Sequence, residues 1–501
     1  MSPNVNNVFS GKDSLLQYYD PDCNPMLPLV EIPNHPFESD HVRIYAKMLT
    51  CLPAANVKLL PALNMLRRAK EQGKINLATK IVEYSSGSTV TSLAILGRIM
   101  GLKGAIAYVS NKTSQAKLDL LRFFGLETKL FGGPGQPSPT DKNGGIYRAT
   151  VDGEADDYFN PSQYLNPDNY SAHQRWTGPQ IIDQLPNISI FASGMGTTGT
   201  MTGTGLYLKS VQPKVVNVGV CTAPGDLVHG PRNFSLVGSI NFPWRDAIDA
   251  LEEASAFESF EASLDLCRQG LLCGPSSGLS KTGLYKYLER AKTNGGLDAL
   301  RAEDGFVYCV FTCCDLPYQY VEEYYKILGE SYFLPIHDHE LLNVDSYPYQ
   351  LEWELSAMDA FQRIFPDATS VSTLPGSTAR SDIITPKNVI VLDIRSTADF
   401  VAAHITGALN IDIGNAGAPN PFLDASTMVT QWTTLNTRLS SEDPEFGEVL
   451  EGATVIALCY SGATSRVATS VLRHRGVEAF FCVDGTQACL DLAQNAGYVK
   501  V

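Results

Sequence analysis

The chain has 501 residues, 44% of them hydrophobic and 18% charged, with a formal net charge of −15. That length exceeds what one hydrophobic core can organise and fits about three domains, and the composition can fill such cores, which excludes wholesale disorder. The negative balance repels phosphate backbones, so no nucleic-acid partner is expected, and no apolar run reaches the roughly 18 residues a membrane span needs. The opening stretch MSPNVNNVFSGKDSLLQYYDPDCNP has neither a basic start nor an apolar h-region, so a cytoplasmic protein is expected. Eleven cysteines include no C-x-x-C pair and one adjacent pair, Cys313–Cys314. Zinc-ligand spacing is absent, so no metal is expected, and most cysteines read as reduced core thiols.

In chain order, VRIYAKMLTCLPAANVKLLPALNML reads as strand, proline turn and amphipathic helix, with Lys58 at the helix start. A lysine is poorly placed beside the positive end of a helix, and that end lowers the pKa of an amine and favours Schiff-base chemistry. IVEYSS then TVTSLAILGRIMG, AIAYVS then TSQAKLDLLRFFG, and TKLFGG give a strand–helix rhythm closed by glycines. Such βαβ units predict a parallel sheet. The rhythm resumes with VVNVGVC, EASLDLCRQG and FVYCVF. It lapses after Gly329, where proline, serine and isolated aromatics suggest a linker or interdomain segment over 331–387. A smaller α/β pattern restarts at VIVLDI and fills 388–501.

Between the apolar run NISIF and a predicted helix lies FASGMGTTGTMTGTG, in which five of fifteen residues are glycine and five are threonine. Glycines let backbone N–H groups converge, the helix N-terminus favours an anion, and Thr197, Thr198 and Thr200 add hydroxyl donors around Gly196 and Gly199. The Walker pattern is missing, so a lone phosphate held by neutral donors is the expected ligand. A second strand–turn–helix junction, YSSGSTV, surrounds Gly87 with Ser85, Ser86, Ser88 and Thr89, a nest suited to a carboxylate.

Taken together, L-P-A-A-N-V-K, S-S-G-S-T-V and G-T-T-G-T resemble the lysine segment, substrate loop and phosphate loop of fold-type II pyridoxal-phosphate enzymes, specifically the cysteine synthase and cystathionine β-synthase family. Gln163-Tyr164 before NPDN, Thr177-Gly178-Pro179, and GPSSG at 274–278 extend the resemblance in order. The resemblance implies a PLP domain over 1–330, built of two α/β subdomains with pyridoxal 5'-phosphate between them. Lys58 would carry the internal aldimine, and Gly196, Thr197, Thr198, Gly199 and Thr200 would hold the phosphate. Ser85, Ser86, Gly87, Ser88, Thr89 and Gln163 would grip the substrate α-carboxylate. Ser88 replaces an asparagine that bonds the cofactor's phenolic oxygen, Asn56 replaces a serine, and Leu59-Leu60 replaces Asp-Arg. The ring nitrogen's partner would be Cys314 or Asp315, with Cys314 favoured. His229, Arg232 and Arg245 could bind an anionic co-substrate, against plain surface or structural roles.

The C-terminal stretch VLDIRSTADFVAAHITGALNI with CYSGAT resembles a single-domain rhodanese over 388–501. Cys459, at a strand end beneath a helix N-terminus, is expected to have a depressed pKa and to carry a persulfide. Asp393, Arg395, His404 and Gly407 would be structural. An arginine six places after the cysteine would mark a phosphatase, and that place is Ser465.

The implied activity is β-elimination and β-replacement on an O-activated L-serine (O-acetyl or O-phospho) through an aminoacrylate. The expected nucleophile is sulfur, and the rhodanese module would handle sulfur beside it. Two alternatives stay open: an amino-acid amine as nucleophile, as in 2,3-diaminopropionate or aspergillomarasmine-type synthesis, and a degenerate PLP domain serving as scaffold for the rhodanese. Amino-acid substrates and a homodimer are the implied partners.

Overall fold

Each predicted β-branched run becomes a parallel strand and each amphipathic run a covering helix, and the chain divides into two units, Met1–Leu334 and Pro335–Val501. The computed structural model describes residues 6–85, 87–366, 388–440, 446, 449–450 and 452–500. Among these residues no helix is long and apolar enough to cross a membrane.

The first unit holds two sheets. One has six strands in the order Leu29–Glu31, Val42–Met48, Val307–Cys313, Ile190–Gly194, Val216–Thr222 and Ala250–Ala254, parallel throughout except for the first pair. Its register places Cys313 beside Met48 and Gly194 beside Val220, so these strands end together. Central strands buried on both faces need continuous apolar runs. Accordingly Leu279, Leu284 and Leu288 of the helix Pro275–Thr293 cover Ile44, Val218 and Phe311 on one face, and Met201 and Leu208 pack with Phe191 on the other.

The second sheet has four parallel strands, Glu127–Phe131, Gly104–Ser110, Lys80–Tyr84 and Tyr158–Phe159. Helices Leu59–Glu71 and Ser88–Ile99 bury Leu63, Leu66, Leu93 and Leu96 against Ile81, Ala107 and Val109. In both sheets the turns of interest leave the carboxyl ends of strands: 85–88 after Lys80–Tyr84, 195–198 after Ile190–Gly194, and 314–315 after Val307–Cys313. Open α/β sheets bind ligands in the crevice outside such ends.

The second unit carries a parallel five-stranded sheet in the order Glu354–Leu355, Glu478–Cys482, Thr454–Leu458, Val389–Asp393, Leu409–Asn410. An antiparallel pair, His404–Ile405 with Val499–Lys500, lies beside it. The linker expected over 331–387 differs from what the structure shows. Glu354–Leu355 adds an edge strand to this sheet, Trp353 enters its core, and the helix Ala357–Ile364 packs Ala360, Phe361 and Ile364 against Ile456 and Leu458. The rest of that segment, 367–387, lies outside the described residues.

Candidate active site

In the first unit, a cavity of about 380 Å³ opens where the three turns meet. Lys58, Ser85, Gly87, Ser88, Thr89, Gln163, Gly196, Thr197, Thr200 and Cys314 line it together. Thr198 and Gly199 do not: Thr198 Oγ1 accepts from Thr202 Oγ1 at 3.3 Å, and Gly199 backs on Asn169. Ser86 lies outside the described residues.

Lys58 stands at the N-cap of Leu59–Glu71, fixed by an Asx turn in which its amide donates to Asn56 Oδ1 at 3.0 Å. Asn56 Oδ1 also accepts from Ser92 Oγ at 3.0 Å, and the Val57 amide donates to Cys314 O at 2.7 Å. The asparagine that replaces the family serine therefore shapes the turn. Lys58 Nζ has no hydrogen bond or ion pair among the described residues, and burial lowers its pKa, only partly opposed by Cys314 and Asp315. A lowered pKa leaves more of the amine unprotonated and so favours its nucleophilic form.

The glycine–threonine turn has the features of an anion nest. Among the described residues the amides of Gly196, Thr197 and Thr198 have no acceptor within the chain, which fits a phosphate held by neutral donors. Thr198 sits at φ +66°, a left-handed conformation costly for a β-branched residue. Position 199 must be glycine, since a Cβ there would collide with Asn169 Oδ1. Two residues not singled out from the sequence brace the turn from the helix Asp168–Arg175. Asn169 Nδ2 donates to Gln163 O at 2.6 Å and to Thr197 Oγ1 at 3.2 Å, and its Oδ1 is buried without a partner. His173 bridges Thr177 Oγ1 at 2.9 Å and Thr200 Oγ1 at 3.3 Å. Burial, with Lys58 nearby, drops its pKa to about 3, so it is a neutral imidazole.

On the opposite wall, Thr89 Oγ1 donates to Gln163 Oε1 at 2.8 Å and Gln163 Nε2 to Tyr84 O at 3.0 Å. Gln163 thus couples the hydroxyl loop to the strand end. Behind it Glu83 is buried, pushed up to about 7 by desolvation against hydrogen bonds from the Gln163 and Tyr84 amides. Arg232 is committed to structure: it donates to Pro137 O and Tyr164 OH, both at 2.9 Å, and lies over the Tyr164 ring. Arg245 stacks on Trp244 and does not line the cavity, whereas His229 does. At the floor, burial raises the Cys314 thiol and pushes Asp315 up to about 6, the latter against a hydrogen bond from Tyr320 and the charge of Lys58.

In the second unit, Cys459 directly follows the strand Thr454–Leu458 and precedes the helix Ala463–His474. Its side chain is fully buried. Sγ donates to Ser465 Oγ at 3.3 Å and accepts from the Ser465 amide at 3.2 Å. Tyr460 donates to Asp399, pinning the loop. Arg466 turns its guanidinium onto Tyr349, at 4.3 Å, and Phe422, at 5.0 Å, an aromatic setting that keeps it from acting as a phosphatase arginine. Asp393 and Arg395 form a buried bidentate pair, and Arg395 Nη2 also donates to Ala403 O at 2.7 Å.

Fold and site define an α/β enzyme with a free lysine amine and an anion nest lining one cavity, joined to a cysteine-loop domain. Residues 25–300 match the family described as pyridoxal-phosphate dependent enzyme, and residues 379–488 match the rhodanese-like domain. Similar proteins include cysteine synthase B of Pseudomonas aeruginosa, 30% identical over 292 residues, which are 57% of this chain and 94% of that protein. Cysteine synthase of Staphylococcus aureus is 29% identical over 278 residues, 54% of this chain and 86% of that one. Among solved structures, an O-acetylserine-dependent cystathionine β-synthase from Helicobacter pylori is 26% identical with a TM-score of 0.50, covering 60% of this chain and 96% of that one. The chain belongs to the pyridoxal-phosphate-dependent enzyme family and carries a C-terminal rhodanese-like domain.

Proposed function

We propose that the first unit binds pyridoxal 5'-phosphate and performs β-replacement on an O-activated L-serine with a sulfur nucleophile, while the second transfers sulfur through Cys459. One observation carries the reading: an unpartnered Lys58 amine, its pKa lowered by desolvation, lines the same cavity as Gly196, Thr197 and Thr200 of the donor turn and Ser85, Gly87, Ser88 and Thr89 of the hydroxyl loop. The free amides of 196–198 would hold the phosphate, Thr200 would add a hydroxyl oriented by His173, and Cys314 would be the ring's polar neighbour. When bound, the cofactor supplies an electron sink for charge left at the substrate Cα.

Ser85, Ser88 and Thr89 hold the α-carboxylate at the N-terminus of the helix Ser88–Ile99, with Gln163 steering Thr89. Lys58 Nζ takes the Cα proton as general base, the Cβ–O bond breaks and acetate or phosphate departs. After the nucleophile's sulfur bonds to Cβ, Lys58 returns the proton. The cysteine synthases and the O-acetylserine-dependent enzyme among the relatives support the substrate class. A cytoplasmic homodimer goes with this reading.

A second nucleophile class has an observation in its favour. Lys112, Lys326 and Glu322 line the outer cavity without ion pairs among the described residues, a mixed-charge wall that fits an amino-acid amine bearing carboxylates. Borohydride trapping followed by peptide mapping tests the core claim, and cofactor fixed to Lys58 is the expected result. Cofactor recovered on another lysine, or none retained, overturns it. Product analysis with sulfide against aspartate, after loading with O-acetyl-L-serine, chooses the nucleophile.

A further inference from the structure

Five side chains from four segments form a knot between the cavity mouth and its floor. Lys117, on the helix Gln115–Phe123 over the four-stranded sheet, is almost fully buried. Its Nζ meets Glu323 Oε1 at 2.6 Å and His229 Nε2 at 2.7 Å. Glu323 belongs to the helix Val321–Leu328, and His229 to the loop after the strand Val216–Thr222, both in the other half of the unit. The third direction of the ammonium faces the Tyr320 ring, 5.0 Å from its centroid. His229 stacks on the same ring at 5.4 Å and 13°. The tyrosine is therefore clamped by groups from both sides of the cleft, and its hydroxyl donates to Asp315 Oδ2 at 2.6 Å. Gln319 Nε2 adds a bond at 3.2 Å, while Asp315 Oδ1 is buried with no partner.

We propose that Tyr320 is a positioning residue that couples contact across the cleft, made through Lys117, to the charge of Asp315 and thereby to the proton on Lys58. This rests on the reading that Lys58 is the reacting amine. Asp315 shares the cavity lining with Lys58 and feels its charge, that of Cys314 on its own segment, of Lys117 from the other half and of Tyr324 from the helix Val321–Leu328, with Gln319 bonded to it; His229, Glu322 and Glu323 are further titratable groups around the knot. Burial works to raise Glu323, yet the Lys117 ammonium that donates to it, with His229 beside it, holds it down to about 2, so it stays a carboxylate and Lys117 has a fixed counter-charge. With the knot made, the tyrosine hydroxyl and the Lys117 charge favour ionised Asp315, which raises the Lys58 amine. With the knot broken, Asp315 takes up a proton and the amine loses the carboxylate charge that raises it, becoming a weaker base. The sign is opposite to a simple loss of packing, which would expose Lys58 to water and raise it.

The test compares Tyr320→Phe, Lys117→Met and the exposed control Tyr318→Phe in the full chain. Lys58 labelling by acetic anhydride is followed against pH by mass spectrometry after the cofactor has been stripped, with melting curves to establish folding. The expected result is a Lys58 midpoint lowered by about 0.5–1 pH unit in Tyr320→Phe and lowered in Lys117→Met, and unchanged in Tyr318→Phe. Because the two variants perturb the knot from different sides, either one folded gives the readout. An unchanged or raised midpoint in a folded knot variant overturns the proposal. Failure of borohydride to fix cofactor on Lys58 in the unmodified enzyme is a separate result, and it removes the reading beneath the proposal.

Discussion

The two reactive centres sit at equivalent places, each at the carboxyl end of a parallel strand or beside a helix start, yet they are finished differently. Around Lys58 the chain leaves groups unanswered: a free amine, three free amides in the turn 196–198, orphaned oxygens on Asn169 and Asp315, and a threonine at positive φ. Around Cys459 the thiol both donates to and accepts from Ser465, Tyr460 is tied to Asp399, and the Asp393–Arg395 pair is closed on itself. Unpaired buried polar groups destabilise a fold by about 1–3 kcal/mol each. A site that tolerates several is shaped for a ligand that answers them. The cysteine loop differs at its nucleophile and not at its amides: among the described residues the amides of 460–464 also have no acceptor, whereas the Cys459 thiol is engaged and must exchange its Ser465 bonds to accept sulfur.

That contrast breaks most sharply at the two nucleophiles. Lys58→Ala is expected to abolish the visible absorption of bound cofactor and to lower β-replacement by about 10³-fold or more, since a positioned proton-transfer group contributes on that scale. Stopped-flow turnover of O-acetyl-L-serine measures it. Cys459→Ser is expected to remove thiosulfate:cyanide sulfur transfer while leaving the Lys58-dependent reaction intact. If the closed loop describes the resting state, Cys459 alkylates with iodoacetamide about tenfold more slowly than the exposed Cys51, a comparison that peptide mass spectrometry reads directly. Equal rates would mean that the loop stands open in solution.

The next effect tests the relaxed site. Arg395→Met leaves the buried Asp393 carboxylate without its partner, and breaking such a pair destabilises by about 3–5 kcal/mol. Calorimetry should show the transition of the second unit falling while that of the first stays in place. A drop of both transitions together would contradict the division at Leu334.

How much of this was readable beforehand follows from how each feature is encoded. Lys58, the 85–89 loop and the 196–200 turn are short, contiguous and chemically loaded, so their order along the chain carried the site. Gln163 came with them. Asn169 and His173 look like ordinary polar positions on a helix, and their importance depends on a turn some 30 residues later. The knot of Lys117, His229, Asp315, Tyr320 and Glu323 was invisible because its four segments fall on three stretches far apart in sequence, around 117, 229 and 315–323, and charged residues of these types are common on surfaces. The edge strand Glu354–Leu355 is too short for any periodicity to register. The helix after it did carry a signal that went unused, since Ser356 caps it by accepting from the Asp359 amide at 3.1 Å ahead of an apolar stripe. Proline and aromatic density around it pointed to a linker and outweighed that cap.

The strained side of the comparison sharpens further through pH. Glu83 titrates from 4.5 up to about 7 on folding because burial disfavours its charge. Between those values the unfolded chain releases a proton that the folded chain keeps, so stability falls as pH rises through the window. The loss amounts to about 3 kcal/mol in the first unit, at 1.36 kcal/mol per pH unit. Glu83→Gln should flatten this slope in melts from pH 4.5 to 8; a wild-type slope that survives the substitution assigns the proton elsewhere.

The smallest effect is the most telling for the donor turn. Thr198→Gly relieves a positive-φ strain of about 1–2 kcal/mol but adds unfolded-state entropy of about the same size. The melting temperature should therefore hardly move. Binding should respond instead, because the threonine's strain is sustained by a turn whose amides converge before any anion arrives, and a glycine there lets the turn sample other conformations. Cofactor affinity, titrated with pyridoxal phosphate, is expected to weaken by about three- to tenfold, and Thr198→Ala, which keeps a Cβ at the same φ, should stay closer to the unmodified chain. Equal affinities across all three would show that Asn169 and His173 alone hold the nest in shape, and that the strained threonine contributes nothing to it.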